Sequence, residues 1–390
     1  MILDIFSEIQ RAGWSRKGEK ALIDDSLELA RAADECGYGT WWQVEHHGSG
    51  AFSISSTPEL FNTMIAQATR RIRIGHSGVL SPYGINHPLK VAERAAFMDL
   101  ISDGRLELGL ARSSGQEWTN FGVNGDLSRS QTSELARMLP AMWRDGKFSW
   151  ESELITIPEI EIVPKPVQEP HPPLWLTGTA PAAFEQAGGL GIGGLATTLL
   201  WPVDNIAGLV TSYREAIANC DNPAGDIVNN RFGCFTFVHC APTREEAIAS
   251  RAGEAALWYA NRVPTVFNNP RAVMVEAIRG IHSPDLDSWR QQHGDDESDY
   301  VVDPDDPVPV IRLLNRQFLG AELDPEEVYE VLDPIDSVII GDPDTCMAKM
   351  KKFESVGVDH LLCFQQFGAL PHELSLRSLE LVGNELLPAL

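Results

Sequence analysis

Positive charge is scarce in this 390-residue chain: 31 Lys and Arg stand against 55 Asp and Glu, a net charge of −24. Such an excess repels phosphate backbones and anionic lipid surfaces, which argues against nucleic acid and membrane partners. Cysteine is sparse as well. The six thiols, Cys36, Cys220, Cys234, Cys240, Cys346 and Cys363, form no C-x-x-C pair. Their wide spacing fits neither a zinc frame nor a secreted disulfide scaffold, so reduced and mostly buried thiols are expected. No apolar run reaches membrane length, and Asp4 and Glu8 interrupt MILDIFSEIQRAGW where a targeting core would have to lie. A soluble, cytoplasmic chain is the expectation. No H-E-x-x-H or equivalent three-ligand spacing occurs, which argues against a catalytic metal at the His46–His47 pair.

What the chain has is alternation. Apolar strand-like runs lie at 2–6, 40–45, 72–76, 105–110, 174–177, 192–196, 232–239, 338–340 and 359–364. Between them fall helix-period segments at 20–36, 57–70, 88–102, about 129–144, 181–187, 203–219, 243–260, 343–356 and about 372–387. Gly37 ends the first helix, while Thr57 before Pro58 and His87 before Pro88 open two others. Runs without polar alternation read as parallel strands buried on both faces. Eight of these nine runs feeding one centre, each paired with a helix, fit a (β/α)8 TIM barrel better than an open doubly wound sheet, which periodicity alone does not exclude. Residues 147–171 read as a polar connection. The rhythm breaks at about 262–335, where Pro and Asp are frequent; from His282 to Asp344, eighteen Asp or Glu face only Arg290, Arg312 and Arg316. This predicts an acidic, solvated insertion between strands seven and eight of a single domain spanning 1–390.

Barrel sites sit at the C-terminal ends of the strands. There the chain places Glu45, His46 and His47 (WWQVEHHGSG), then Gly75, His76, Ser77 and Gly78 (IRIGHSGVL), then Ala111 and Arg112 (LGLARSS). With Arg129 in LSRSQ and the C-terminal GVDHLLCFQQFG, these residues resemble the bacterial luciferase-like family of flavin-dependent monooxygenases. Within it the chain looks most like the non-luminescent, alkanal-monooxygenase-like members. The resemblance implies reduced FMN as cofactor, molecular oxygen as second substrate, a separate flavin reductase, and a homodimer. It also implies that one oxygen atom enters a small organic substrate through a flavin C4a-peroxide. By the same resemblance His46 is the functional histidine, and Ser77–Gly78 the site of a non-prolyl cis peptide against the flavin. Arg112 and Arg129 then correspond to the two phosphate-binding arginines, with the loop Thr177, Gly178 and Thr179 completing their site. Luciferase itself carries a reactive cysteine where this chain has Ala111, so light emission is not expected.

The residue types suit that chemistry. Arg112, Arg129, Thr179 and a helix N-terminus supply charge and donors for a phosphate. His46 titrates near neutral pH, and Glu45 is expected to fix its tautomer or raise its pKa. Strand alternation turns Glu45 and His47 away from the side His46 faces. His47, His76, Trp201, Gln365 and Gln366 are candidates for substrate contact, with Trp258, Tyr259, Phe267 and Met274 as apolar lining or ordinary core. GLGIGG at 189–194 is a weak dinucleotide signal, because its glycines precede and enter a strand rather than forming a strand-to-helix turn. Two rivals stand beside the monooxygenase. One is an F420-dependent oxidoreductase on the same fold, disfavoured by the lack of a basic groove for that cofactor's acidic tail. The other is a flavin-binding protein without catalysis.

Overall fold

The computed structural model describes residues 1–12, 16, 18–282 and 302–390. In chain order the strands are β1 (Ile2–Ser7), β2 (Thr40–Gln43), β3 (Arg73–Leu80), β4 (Leu106–Ala111), β5 (Lys147–Glu151), β6 (Thr156–Glu161), β7 (Leu174–Gly178), β8 (Gly193–Thr197), β9 (Phe232–Cys240), β10 (Val338–Gly341) and β11 (His360–Phe364). Eight of them pair in parallel around a closed ring, β1-β2-β3-β4-β7-β8-β9-β11, and β11 returns to β1 at Leu361↔Leu3. This is the expected (β/α)8 barrel. β10 is a ninth strand outside the ring, alongside the second half of β9 from Val338↔Phe237 to Gly341↔Cys240, beyond the point where β8 stops at Thr197↔Phe235.

Of the helices α1 (Glu19–Cys36), α2 (Pro58–Ala68), α3 (Pro88–Ile101), α4 (Gly115–Phe121), α5 (Ser128–Trp143), α6 (Pro181–Gly189) and α7 (Val203–Ala218), all but α4 match an expected segment. Gly37 closes α1 at φ 90°, where only glycine is unstrained. His87 caps α3 by accepting from the Leu89 amide, whereas Thr57 makes no side-chain cap and α2 starts on Pro58 alone. The helix read over 243–260 is two, α8 (Arg244–Ala249) and α9 (Ala252–Phe267), because Arg251 takes a left-handed φ of 58° between them. The connection read after Lys147 folds instead as the antiparallel hairpin β5–β6. Its pattern was obscured because only Phe148 and Ile157 of its two strands are buried.

Between β9 and β11 lie α8, α9, α10 (Arg271–His282), and helices Pro309–Phe318, Pro325–Leu332 and Pro343–Ser355. The acidic stretch predicted there is not uniformly solvated. Asp306 is buried and bound by Arg279 at 3.0 Å, and Asp336 is buried while accepting from the Val203 amide at 2.9 Å. Arg290 falls outside the described residues, as does Trp14 of the N-terminal segment. Among the described residues, no helix is long and apolar enough to cross a membrane. The cysteines are unpaired, four buried and Cys36 and Cys220 half-buried.

Strand alternation divides the core in two. Leu3, Ile5, Trp41 and Leu361 point outward into the strand–helix layer, whereas Phe6, Trp42, Leu362 and Phe364 fill the barrel. Phe6 stacks on Phe235 at 4.6 Å, and Trp42 meets Trp175 edge to face at 5.3 Å. The N-terminal end of the barrel is closed by buried acids that are fully bonded. Asp4 accepts from Trp42 Nε1 at 2.8 Å and His360 Nδ1 at 2.9 Å, and Glu107 accepts from Arg73 Nε at 2.6 Å and Trp175 Nε1 at 2.7 Å. Burial without such partners would cost several kcal/mol each, on the order of 2–7. On the outside, Asp34 of α1 accepts the backbone amides of Arg70, Arg71 and Ile72 and so fastens α1 to the turn before β3.

Candidate active site

A cavity of about 280 Å³ opens at the C-terminal ends of β1, β2, β3, β4, β7 and β8 and is covered by α4 and α9. One wall is apolar, with Phe6, Val44, Leu80, Val263 and Val266; two groups of polar side chains face it from different sides.

The first group surrounds His46. α4 begins at a capping box in which Ser114 and Glu117 satisfy each other's backbone amides, and this brings the Glu117 carboxylate under the β2 loop. One oxygen, Oε2, accepts from Ser113 Oγ at 2.7 Å and from the Ser114 amide at 3.2 Å. The other, Oε1, accepts from the His47 amide at 3.2 Å and from His46 Nδ1 at 3.3 Å. Burial opposes ionisation of Glu117, but these bonds prevail and its pKa is lowered. Burial likewise opposes the charged form of His46, yet the bond to Glu117 and the nearby Glu8 and Glu117 carboxylates raise its pKa. The other ring nitrogen, Nε2, lies 3.9 Å from Glu8 Oε1. Glu8 follows the last residue of β1, is buried, and lines the same cavity. Sequence reading missed both acids. Glu117 was signalled by the S-x-x-E that begins at Ser114, two residues after Arg112; Glu8, one residue past a strand end, was visible only as an interruption in an apolar run.

The second group is cationic. Arg112 Nε donates to Ser128 Oγ at 3.1 Å, and Arg129 Nη1 donates to the Ala182 carbonyl at 3.0 Å and Gln186 Oε1 at 3.2 Å. Neither forms a salt bridge to a carboxylate among the described residues. Burial and the charge of Arg129 both lower the Arg112 pKa, so two cations hold each other in an unfavourable pair that an anion would relieve. Thr177, Gly178 and Thr179 line the cavity beside them, at the entry to α6. This donor set suits a phosphate. Ser77, Gly78 and Ala111 form the adjoining floor, and the Ser77–Gly78 peptide is cis. A Cβ at residue 78 would lie 2.8 Å from the Leu110 carbonyl carbon, so glycine allows β3 and β4 to approach there.

The remaining candidates divide. Glu45 lines the cavity, but its oxygens serve the Leu80 amide at 3.1 Å, Asn86 Nδ2 at 2.9 Å and His47 Nε2 at 3.1 Å; His46 is oriented by Glu117 instead. His47 turns away from the cavity and packs edge-on against Phe121. His76 faces outward between α2 and α3, where Val79 and Val91 also lie, because alternation from Gly75 puts it on the helix side. Gln365 follows inward-facing Phe364 and so points outward, accepting from Ser378 Oγ at 2.8 Å; Gln366 accepts from Ser26 Oγ of α1 at 2.8 Å. Trp201 is tied through its backbone to Ser337 at the start of β10. None of His47, His76, Trp201, Gln365 or Gln366 lines the cavity. Tyr259 and Phe267 do, while Trp258 stacks behind Phe52 and Met274 packs against the core around α9.

Comparison with known proteins agrees with this geometry. The family model for luciferase-like monooxygenases matches residues 1–360. The oxygenase component of a flavin-dependent trigonelline monooxygenase from Acinetobacter baylyi is 32% identical over 190 residues, 48% of this chain and 51% of that protein. The chain thus spans about half the length of the curated relatives it matches. A monooxygenase structure from Streptomyces bottropensis superposes with a TM-score of 0.74 at 22% identity, covering 100% of this chain and 99% of that one. An F420-dependent secondary alcohol dehydrogenase shares the fold at a TM-score of 0.66 and 15% identity, covering 97% of each chain. By its barrel, its site and a family match over most of its length, the chain belongs to the luciferase-like monooxygenase family.

Proposed function

We propose that the chain is the oxygenase of a two-component system, taking reduced FMN from a separate flavin reductase and using molecular oxygen to insert one oxygen atom into a small organic substrate. One observation carries this reading: a single cavity joins two guanidiniums that pair with no carboxylate among the described residues, suited to a phosphate, with an imidazole held by a carboxylate. The name of the Acinetobacter baylyi relative, an oxygenase component, supports the separate reductase. Arg112, Arg129, Thr177 and Thr179 hold the phosphate. Bound there, reduced FMN supplies the electrons that activate oxygen. Phe6, Val44, Leu80 and Val263 keep water from the reacting end. His46 gives or takes a proton at Nε2, because Glu117 engages Nδ1–H and its charge keeps the imidazolium to higher pH. For the homodimer, the exposed apolar side chains of Leu60 and Met64 on α2 and Phe97 and Leu100 on α3 offer a contact face.

The test mixes anaerobic protein and reduced FMN with oxygenated buffer in a stopped-flow spectrometer. A protein-dependent phase preceding the return of oxidised flavin is expected. Reoxidation at the free-flavin rate at every protein concentration would overturn the proposal, and tight binding of F420 in place of FMN would favour hydride transfer.

A further inference from the structure

We propose that Glu8 is a proton-exchanging partner of His46, so that Glu8, His46 and Glu117 form one titrating unit whose working proton passes between His46 Nε2 and Glu8 Oε1. The inference rests on the proposed function for its use in catalysis, but not for its geometry.

The two carboxyls that flank His46 sit in opposite surroundings. Glu117 receives donors on both oxygens, including two backbone amides, and is held as an anion. Glu8 is 3% exposed and accepts from two neutral donors, Gln10 Nε2 at 2.8 Å on Oε2 and Tyr259 Oη at 3.3 Å on Oε1. The charge recorded as acting on it is that of His46 at 3.9 Å, and His46 in turn meets the Glu117 and Glu45 carboxylates. From the loop before α2, Ser53 contributes only a hydroxyl, bonded to the Glu8 carbonyl. Burial, opposed by the His46 charge and by the bonds from Gln10 and Tyr259, pushes the Glu8 carboxyl up to about 7. Two groups whose environments separate their proton affinities are the usual arrangement of an acid and a base at one site.

Geometry selects the atoms. Because Glu117 engages Nδ1, the nitrogen left toward Glu8 is Nε2. A separation of 3.9 Å is too long for a hydrogen bond, yet one intervening water or a small ring movement closes it. The exchange balances: the Nε2–H bond of the imidazolium breaks, an Oε1–H bond forms, and the charged pair becomes a neutral one. The reverse step recharges His46. Since Glu8 and His46 both line the cavity, a proton held by the pair is available to a ligand there while Glu117 stays ionised.

The experiment uses the full chain without ligand. Infrared difference spectra with ¹³C-labelled glutamate are recorded between about pH 5 and pH 9, alongside side-chain NMR of His46. The expected result is a protonated-carboxyl band lost with a midpoint near 7 and absent in Glu8→Gln. The same variant should lower the His46 titration, since a neighbouring anion is removed. Tyr259→Phe is the second variant; it deletes a bond that favours the Glu8 anion and should raise the band's midpoint. A band unaffected by Glu8→Gln, an unmoved His46 curve, or an unchanged midpoint in Tyr259→Phe overturns the inference. FMN binding is measured on the same samples. Its absence from both parent and variant would overturn the proposed function, leaving the infrared result to decide the Glu8–His46 unit separately.

Discussion

Replacing Arg112 by alanine separates a ligand-binding charge from a structural one. In the protein as described, the Arg112 guanidinium has a hydrogen bond to Ser128 Oγ at 3.1 Å and the repulsive neighbour Arg129. The neutral-acceptor bond is worth about 1 kcal/mol, and its loss is offset by relief of burial and of the Arg129 charge, so stability should change by less than about 1 kcal/mol. Binding should respond differently. A charge-assisted contact to a phosphate contributes about 1.5–3 kcal/mol, which corresponds to roughly a 10- to 150-fold rise in the FMN dissociation constant. Riboflavin, which lacks the phosphate, supplies the control and should bind parent and variant within about threefold. Calorimetric titration with both ligands, beside urea unfolding of the ligand-free proteins, gives all the required numbers. Equal losses for FMN and riboflavin, or an unchanged FMN affinity, would refute assignment of the Arg112–Arg129 pair as a phosphate site.

Two further outcomes follow from buried carboxylates. In Glu117→Gln the capping geometry is nearly retained but the anion beside His46 Nδ1 is lost, so burial should draw the His46 pKa down. A folded pKa raised above the unfolded value stabilises the protein below the unfolded value and ceases to do so as pH rises through the folded one. The variant should therefore lose more stability near pH 5 than near pH 9, and equal losses at both would count against the pairing. In Asp34→Ala three backbone amides lose their acceptor, and a destabilisation of about 2–4 kcal/mol is expected at neutral pH. The folded-state pKa of Asp34 is depressed, so its contribution is present above the unfolded value and lost as pH falls through the folded one. The gap between parent and variant should narrow in acid, and a gap constant with pH would contradict the bonding described.

Much of the barrel was legible because its strands are buried on both faces and read as apolar runs, while helix limits are local events such as Gly37 at φ 90°. The break at Arg251 was invisible because an arginine in a left-handed conformation carries no sequence signature. The arginine pair, the Ser77–Gly78 floor and the Thr177–Thr179 loop all line one cavity; all but Arg129, which stands at the start of α5, lie at or just beyond a strand's C-terminal end. Gln365 and His76 lie in the helix layer rather than the cavity by a single step of strand phase, which the apolar runs do not reveal.

By itself, the sequence determined the repeating βα unit, the strand ends that bear the site, and the cationic and imidazole groups available there, because burial and turn chemistry act over a few residues. Only the tertiary structure decided which groups meet. Glu117 reaches His46 across 71 positions and Tyr259 reaches Glu8 across 251, and those contacts turn on barrel closure and the seating of α4 and α9 over its mouth. Proton affinities at the site follow from that closure, since burial and neighbouring charge are properties of the assembled cavity rather than of any segment.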